Sequence, residues 1–142
     1  ILKDPRRRAF NQYALERISA ELKREGQLIG IHPEGTRGKG STPYTFLKAQ
    51  PGIGTIALSS PKTRVLPVFI TGLSNSMKTE FSRTWLGDGF FPIDVVFGAP
   101  IEFDDLRAAG DKALNHVVAT QRTMDAIQAL GQFHRIHVAG EE

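Results

Sequence analysis

Helical and strand-like segments alternate along this chain, and the alternation constrains its fold more than any other feature of the sequence. The helical segments repeat apolar residues every three or four positions, whereas the strand-like segments are short apolar runs. The predicted order is helix (9–25), strand (27–31), helix (the second half of 46–60), strand (65–70), an irregular aromatic segment (72–92), strand (93–97) and helix (111–130). Such alternation is typical of α/β folds. The sequence therefore predicts a mostly parallel sheet flanked by helices, in a single domain covering residues 1–142.

Prolines and glycines mark where several predicted elements begin and end. Pro51 is placed at the first turn of the second helix, and Gly131 is placed as the cap of the last helix. Pro67 lies inside the second strand, and a proline has no N–H to donate to a neighbouring strand. The prediction is therefore that Pro67 occupies an edge or a bulge of the sheet.

Basic residues are concentrated in the first third of the chain, although the net charge is only +3. Residues 1–50 carry ten basic and five acidic side chains, whereas residues 51–142 carry eight and ten. An anionic partner is therefore expected to bind the first third: a nucleic acid, an anionic membrane surface or a phosphorylated small molecule. The lack of cysteine excludes a disulfide framework and a thiol nucleophile, and no apolar run reaches the ~18 residues of a transmembrane helix.

A loop at residues 32–40 contains side chains that suit a phosphate group. It follows a predicted strand, where open α/β sheets place their ligands, and it contains Glu34, Gly35, Thr36 and Arg37. Glycine lets the backbone approach a ligand closely, and the Arg37 guanidinium can donate two parallel hydrogen bonds to a phosphate. The alternative is a surface loop in which Glu34 and Arg37 form an exposed ion pair.

Neither a nucleotide site nor a metal site is predicted. Glycines 30, 35 and 40 have the spacing of a P-loop, but the Lys-Ser/Thr that completes that motif does not follow them. His134 and His137 lie three residues apart without a third ligand, so they are interpreted as an exposed polar tail. His32 adjoins the loop and could contact a ligand there.

The five residues Pro33-Glu34-Gly35-Thr36-Arg37 resemble a block of the glycerolipid acyltransferase family, which contains the lysophosphatidate and glycerol-3-phosphate acyltransferases. In that family the block follows a short apolar strand and an aromatic residue, whose position His32 takes here. Three later segments are similar to family blocks in the same order: Phe46-Leu47-Lys48 before a helix at 52–58, the strand 65–70 with Pro67-Val68, and Gly98-Ala99-Pro100-Ile101. The resemblance spans residues 1 to about 130.

The resemblance implies an acyltransferase of glycerophospholipid synthesis. The enzyme would transfer a fatty acyl group from acyl-coenzyme A or acyl-carrier protein to a lysophosphatidate-like acceptor, with no metal or cofactor beyond that co-substrate. The strand with Pro67 and Val68 would lie behind the acyl or catalytic pocket. The residues implied for substrate binding are Glu34, Gly35, Thr36, Arg37, Lys48 and Arg6, the last as a remnant of an upstream basic block, a role that Lys3 could also take.

The family's catalytic base is the histidine of a His-x-x-x-x-Asp block, and no histidine of this chain has aspartate at that spacing. We therefore expect the catalytic pair upstream, with residues 1–142 forming the carboxy-terminal portion of an acyltransferase domain. Residues 1–142 alone are expected to be inactive, because a glycerol hydroxyl needs a positioned base to attack a thioester. The lipid substrates imply a location at the cytoplasmic face of a membrane, either peripheral or anchored.

Two alternatives stay open at the level of the sequence. A non-catalytic relative that binds phosphate or lipid would keep the same loop without the His-Asp pair. An unrelated basic α/β module that binds nucleic acid would account for the charged first third, although basic and aromatic residues do not interleave as they do in known motifs.

Overall fold

The computed structural model describes residues 5–36, 42–74, 76–87, 92–110 and 112–140. Helices dominate these ranges. The elements are α1 (Pro5–Glu21), α2 (Gly52–Ala57), β1 (Val68–Thr71), α3 (Met77–Trp85), β2 (Asp94–Phe97), α4 (Asp104–Ala108) and α5 (Lys112–His137).

The sheet is small and antiparallel, so the predicted α/β fold with a mostly parallel sheet is wrong. Within the described ranges it consists of β1 and β2, with Val68 opposite Phe97 and Thr71 opposite Asp94. A parallel pair needs a crossover that packs on the sheet, but α3, which connects these strands, packs on no other described helix or strand. The order of elements was therefore predicted in part, and their pairing was not.

The segment 27–31 was predicted as a buried strand, and that prediction is also wrong. The structure gives these residues no regular secondary structure, and the Leu28 side chain is 96% exposed. Ile31 is exposed as well. Three apolar residues in a short run do not define a strand when no strand among the described residues pairs with them.

The hydrophobic core lies between α2, α4 and α5. Ala57, Phe103 and Ala119 are its buried centre, and an antiparallel bridge between Val65 and Ile101 closes one side. Arg107 crosses this region and donates to the backbone oxygens of Ala57 and Thr63, at 3.0 and 3.2 Å. These two backbone oxygens beside the core thus have a hydrogen-bond donor, as burial requires.

Helix α5 ends at His137, about two turns beyond its predicted end at residue 130. Gly131 is therefore inside this helix and is not its cap. It is buried, and two aromatic rings occupy the space that a side chain at this position would need. A Cβ at Gly131 would lie 3.0 Å from the Phe46 ring and 3.2 Å from the Phe69 ring. The glycine at this position therefore allows aromatic packing against the helix and does not end it.

Helix α1 confirms most of the predicted helix at 9–25, and it packs on α2. A Cβ at Gly52 would lie 2.8 Å from a methyl group of Leu15, so the two helices meet closely at the start of α2. None of the helices in the described ranges has the length and apolar character needed to cross a bilayer.

Candidate functional site

Residues 33–36 form a tight turn that depends on a glycine. The backbone N–H of Gly35 donates to the oxygen of His32 at 3.0 Å, and Gly35 has a φ of +72°. Side chains with a Cβ are disfavoured at that φ. The space is limited as well, since a Cβ at Gly35 would lie 3.0 Å from Cγ of Gln50. The glycine of the motif is therefore required by the backbone of this turn.

The turn is attached to residues 47–50 by three hydrogen bonds, which we call the clamp. The N–H of Gln50 donates to the Pro33 oxygen at 2.8 Å, and the N–H of Leu47 donates to Oε1 of Glu34 at 3.0 Å. The Gln50 side-chain amide reaches the Glu34 backbone oxygen at 3.5 Å. Glu34 therefore holds the backbone of the facing segment through one carboxylate oxygen.

The other residues predicted to bind the substrate differ in how close they lie to the turn. Thr36 is exposed at the end of the turn, and Lys48 is exposed directly after Leu47, so that its backbone lies beside the Glu34 carboxylate. Arg37 is outside the described residues. Arg6 is in the first turn of α1, roughly 13 Å along the helix axis from Leu15, the residue at which α1 meets the start of α2.

The Pro67-Val68 pair lies at the start of β1, away from the middle of a strand. Pro67 is buried immediately before β1, and its oxygen accepts a hydrogen bond from the Gly98 N–H at 3.0 Å. Pro67 has no N–H to donate, but the paired residues of β1 begin at Val68. The proline therefore does not interrupt the hydrogen bonds between the two strands. The Gly98 to Ile101 segment that resembles a family block thus meets this pair through its first residue.

An aromatic cluster anchors the segment that carries the clamp. Tyr44 stacks on Phe69 of β1 with ring centroids 5.9 Å apart, and Phe46 lies 6.1 Å from the same ring. Phe46 also packs against Gly131 of α5. The residues from 44 to 50 therefore connect the sheet and the last helix to the turn at 33–36.

His134 is buried in this cluster, which corrects its interpretation as part of an exposed tail. Nδ1 of His134 lies 3.0 Å from the hydroxyl of Tyr44, and Nε2 lies 3.2 Å from Oδ2 of Asp94. The side chain therefore joins α5, β2 and the 44–50 segment. Its partners lie 90 and 40 positions away in the sequence, and local spacing gave no signal of either one.

The strongest perturbation of a carboxylate lies at α4, where it is structural. Arg122 donates to both oxygens of Asp105, at 2.8 and 2.7 Å, and this pairing lowers the pKa of Asp105 to about 2. Arg122 also donates to the backbone oxygen of Glu102, and its guanidinium lies 5.6 Å from the centroid of the Phe103 ring. The pair therefore fixes the start of α4 on α5 and covers the core.

Neither a metal cluster nor a related protein adds to this description. Among the described residues, no group of three or more His, Cys, Asp and Glu side chains could hold a metal ion. A scan against protein-family models found no match, and searches of curated proteins and of solved structures found none either. The function of the chain must therefore be inferred from the clamped turn and its charges.

Proposed function

We propose that this chain binds the phosphate end of a lysophosphatidate-like acceptor in a glycerolipid acyltransferase, with the 33–36 turn as the binding element. The observation that carries the proposal is the clamp: Glu34 and Gln50 fix a turn whose sequence resembles the acceptor-binding block of that family. The acyl donor is a thioester, either acyl-coenzyme A or acyl-carrier protein. The enzyme would act at the cytoplasmic face of a membrane, where its acceptor resides.

The chemistry around the turn suits a phosphate monoester. Thr36 offers a hydroxyl at the exposed end, Lys48 contributes an ammonium group on the facing segment, and Arg37 follows Thr36 in the sequence. Arginine binds phosphate through two parallel charge-assisted hydrogen bonds, and lysine adds a point charge. Because the clamp fixes the backbone before a ligand arrives, binding costs less conformational entropy than it would at a free loop.

In the proposed reaction the chain positions the acceptor, and a base outside residues 1–142 supplies proton transfer. The base removes the proton of the glycerol hydroxyl, whose oxygen attacks the carbonyl carbon of the thioester. The new ester C–O bond forms, the C–S bond breaks, and the thiolate leaves and takes up the proton. Fixing the phosphate holds the hydroxyl at a constant distance from the base, which is the source of a proximity advantage.

The test is acceptor binding by the chain, measured calorimetrically with a short-chain lysophosphatidate below its critical micelle concentration. The matching monoacylglycerol, which lacks the phosphate, serves as the comparison ligand. We expect the phosphate-bearing ligand to bind more tightly, and Arg37→Ala to weaken it by roughly 10–100-fold through the loss of a charge-assisted bidentate contact. Arg37→Lys should restore part of this affinity.

Arg64→Ala is the matched control, because Arg64 is an exposed arginine that pairs with Glu102 at 3.2 Å, far along the chain from the turn. It should leave acceptor binding unchanged. Equal affinity for the two ligands, or an equal loss in Arg37→Ala and Arg64→Ala, would contradict a phosphate site at the turn.

A further inference from the structure

Helix α3 presents a row of large apolar side chains to solvent. Met77, Phe81 and Trp85 occur four residues apart, so they follow one face of the helix, and they are exposed by 86, 61 and 74%. The rings of Phe81 and Trp85 stack with their centroids 5.7 Å apart. A continuous apolar face of this kind indicates a surface that is covered in use.

The rest of the described protein does not cover this face. None of the residues of α3 is buried, and the helix packs on no other described helix or strand. Contacts at its own amino-terminal end hold it: the Ser76 side chain accepts from the Thr79 N–H at 3.2 Å, and Glu80 accepts from the Ser74 N–H. The helix is thus formed and capped without using its apolar face.

The charges of α3 give this face a positive border. At 100° per residue, Lys78 lies about 60° from Phe81 around the helix, at the edge of the apolar face. Glu80 is the one acidic residue in α3, and it is turned toward the Ser74 N–H and paired with Arg83 at 3.6 Å. A surface that carries negative charge over an apolar interior is therefore complementary to this helix. An uncharged protein groove would match its apolar face but not Lys78.

We propose that α3 docks the protein on the surface of an anionic lipid bilayer, with Met77, Phe81 and Trp85 at the boundary of headgroups and acyl chains and Lys78 against lipid phosphates. Tryptophan and phenylalanine beside a lysine are the composition of helices that lie in this interface. Nine residues extend only about 13 Å, too little to span a ~30 Å hydrocarbon core, so the helix lies in the plane of the surface.

The dimensions of α3 favour lipid over a second copy of the chain. A face about 13 Å long and about 10 Å wide is far smaller than the ~800 Å² that each partner of a stable protein interface buries. The proposal rests on the proposed function, because an enzyme whose acceptor is a bilayer lipid must reach the bilayer surface.

The experiment uses Trp85, the single tryptophan of the chain, as the reporter. The protein is titrated with vesicles of phosphatidylcholine containing 30 mol% phosphatidylglycerol, and with pure phosphatidylcholine vesicles, while tryptophan emission is recorded. We expect a blue shift on the anionic vesicles, together with quenching by lipids brominated near the headgroup end of the acyl chain.

Variants separate the apolar and the electrostatic contributions. Phe81→Ser should weaken partitioning on the order of tenfold, the effect of withdrawing one large apolar side chain. Lys78→Gln should weaken binding to anionic vesicles roughly fivefold and leave binding to neutral vesicles unchanged. Phe133→Ser is the matched control, because Phe133 is also exposed and also packs on the ring four residues later, at His137. It should partition as the unmodified chain does.

The proposal would be overturned if tryptophan emission showed no blue shift with either kind of vesicle, or if Phe81→Ser and Phe133→Ser weakened vesicle binding equally. It would also be overturned if the blue shift appeared without vesicles and grew with protein concentration, because a second copy of the chain would then cover α3. Vesicle binding is measured without acceptor, and acceptor binding is measured without vesicles. A failure at α3 therefore leaves the phosphate preference of the turn intact, and a failure at the turn leaves the Trp85 response intact.

Discussion

Replacing Gly54 by alanine should disturb the closest contact in the core. A Cβ at Gly54 would lie 1.9 Å from the backbone oxygen of His116 and 2.7 Å from Oγ1 of Thr120. Ordinary contact begins at 3.4 Å, so α2 and α5 would have to separate locally by about 1.5 Å. Since the nearest atom belongs to a helix backbone, it cannot rotate away as the end of a side chain could.

The size of the effect follows from three contributions. Overpacking costs about 1–3 kcal/mol, and a clash with backbone lies at the upper end of that range. The Gly54 N–H donates to Thr120 Oγ1 at 3.0 Å, and loss of that hydrogen bond costs about 0.5–1.5 kcal/mol. Alanine has a higher helix propensity than glycine, which stabilises the folded protein by about 1 kcal/mol. The expected net loss is about 2–3 kcal/mol, which lowers Tm by roughly 6–12 °C in a chain of this size.

Thermal unfolding followed by circular dichroism at 222 nm measures this loss. Gly110→Ala is the control, because a Cβ there would have no neighbour within 4 Å, and its Tm should change by no more than about 1–2 °C. Gly52→Ala should fall between the two, since its Cβ would meet only the flexible end of Leu15. If the Gly54→Ala and Gly110→Ala proteins had the same Tm, the close contact between α2 and α5 would be refuted.

Two further predictions concern the Asp105–Arg122 pair and the clamp. The pKa of Asp105 is lowered from 3.8 to about 2 by Arg122, so the stability that this pair contributes is present above pH 4 and is lost as the pH falls toward 2. Asp105→Asn should therefore flatten the decrease of the urea midpoint between pH 4 and pH 2, and parallel decreases in both proteins would contradict the pairing. Glu34→Ala should accelerate amide hydrogen exchange at Leu47 by roughly five- to tenfold, since a net bond of about 1 kcal/mol is lost, whereas Glu34→Gln keeps the acceptor and should exchange as the unmodified chain does. Equal exchange rates in the alanine and glutamine variants would show that the side chain of residue 34 does not hold the facing segment.

The sequence predicted several elements but not their arrangement. The first and last helices follow from apolar periodicity, and the helix at 52–57 follows Pro51 as expected. Val117, Thr120 and Met124 follow one another at helical spacing in the last helix, yet Thr120 and Met124 are buried and Val117 is exposed. Periodicity shows that a helix is amphipathic, whereas the buried face is chosen by what packs on it.

The aromatic segment at 72–92 shows a second limit of sequence reasoning. Its glycines and aromatic residues indicated irregular structure, yet Met77–Trp85 is helical. Ser76 caps the helix, and Glu80 turns back to the preceding residues, a local signal that was available in the sequence. The helix was missed because aromatic residues of a helix are expected on its buried face, whereas those of Met77–Trp85 are exposed.

The clamped turn does not need the parallel sheet that was predicted from the sequence. The Gly35 N–H bond to His32 is formed within four residues, and the bonds from Leu47 and Gln50 come from a segment that α5 and β1 anchor through Tyr44 and Phe46. None of these contacts needs a parallel strand before the turn. Under the proposed function, a phosphate ligand would bind at a turn that these hydrogen bonds fix, with Lys48 on the facing segment, and neither feature requires a parallel sheet.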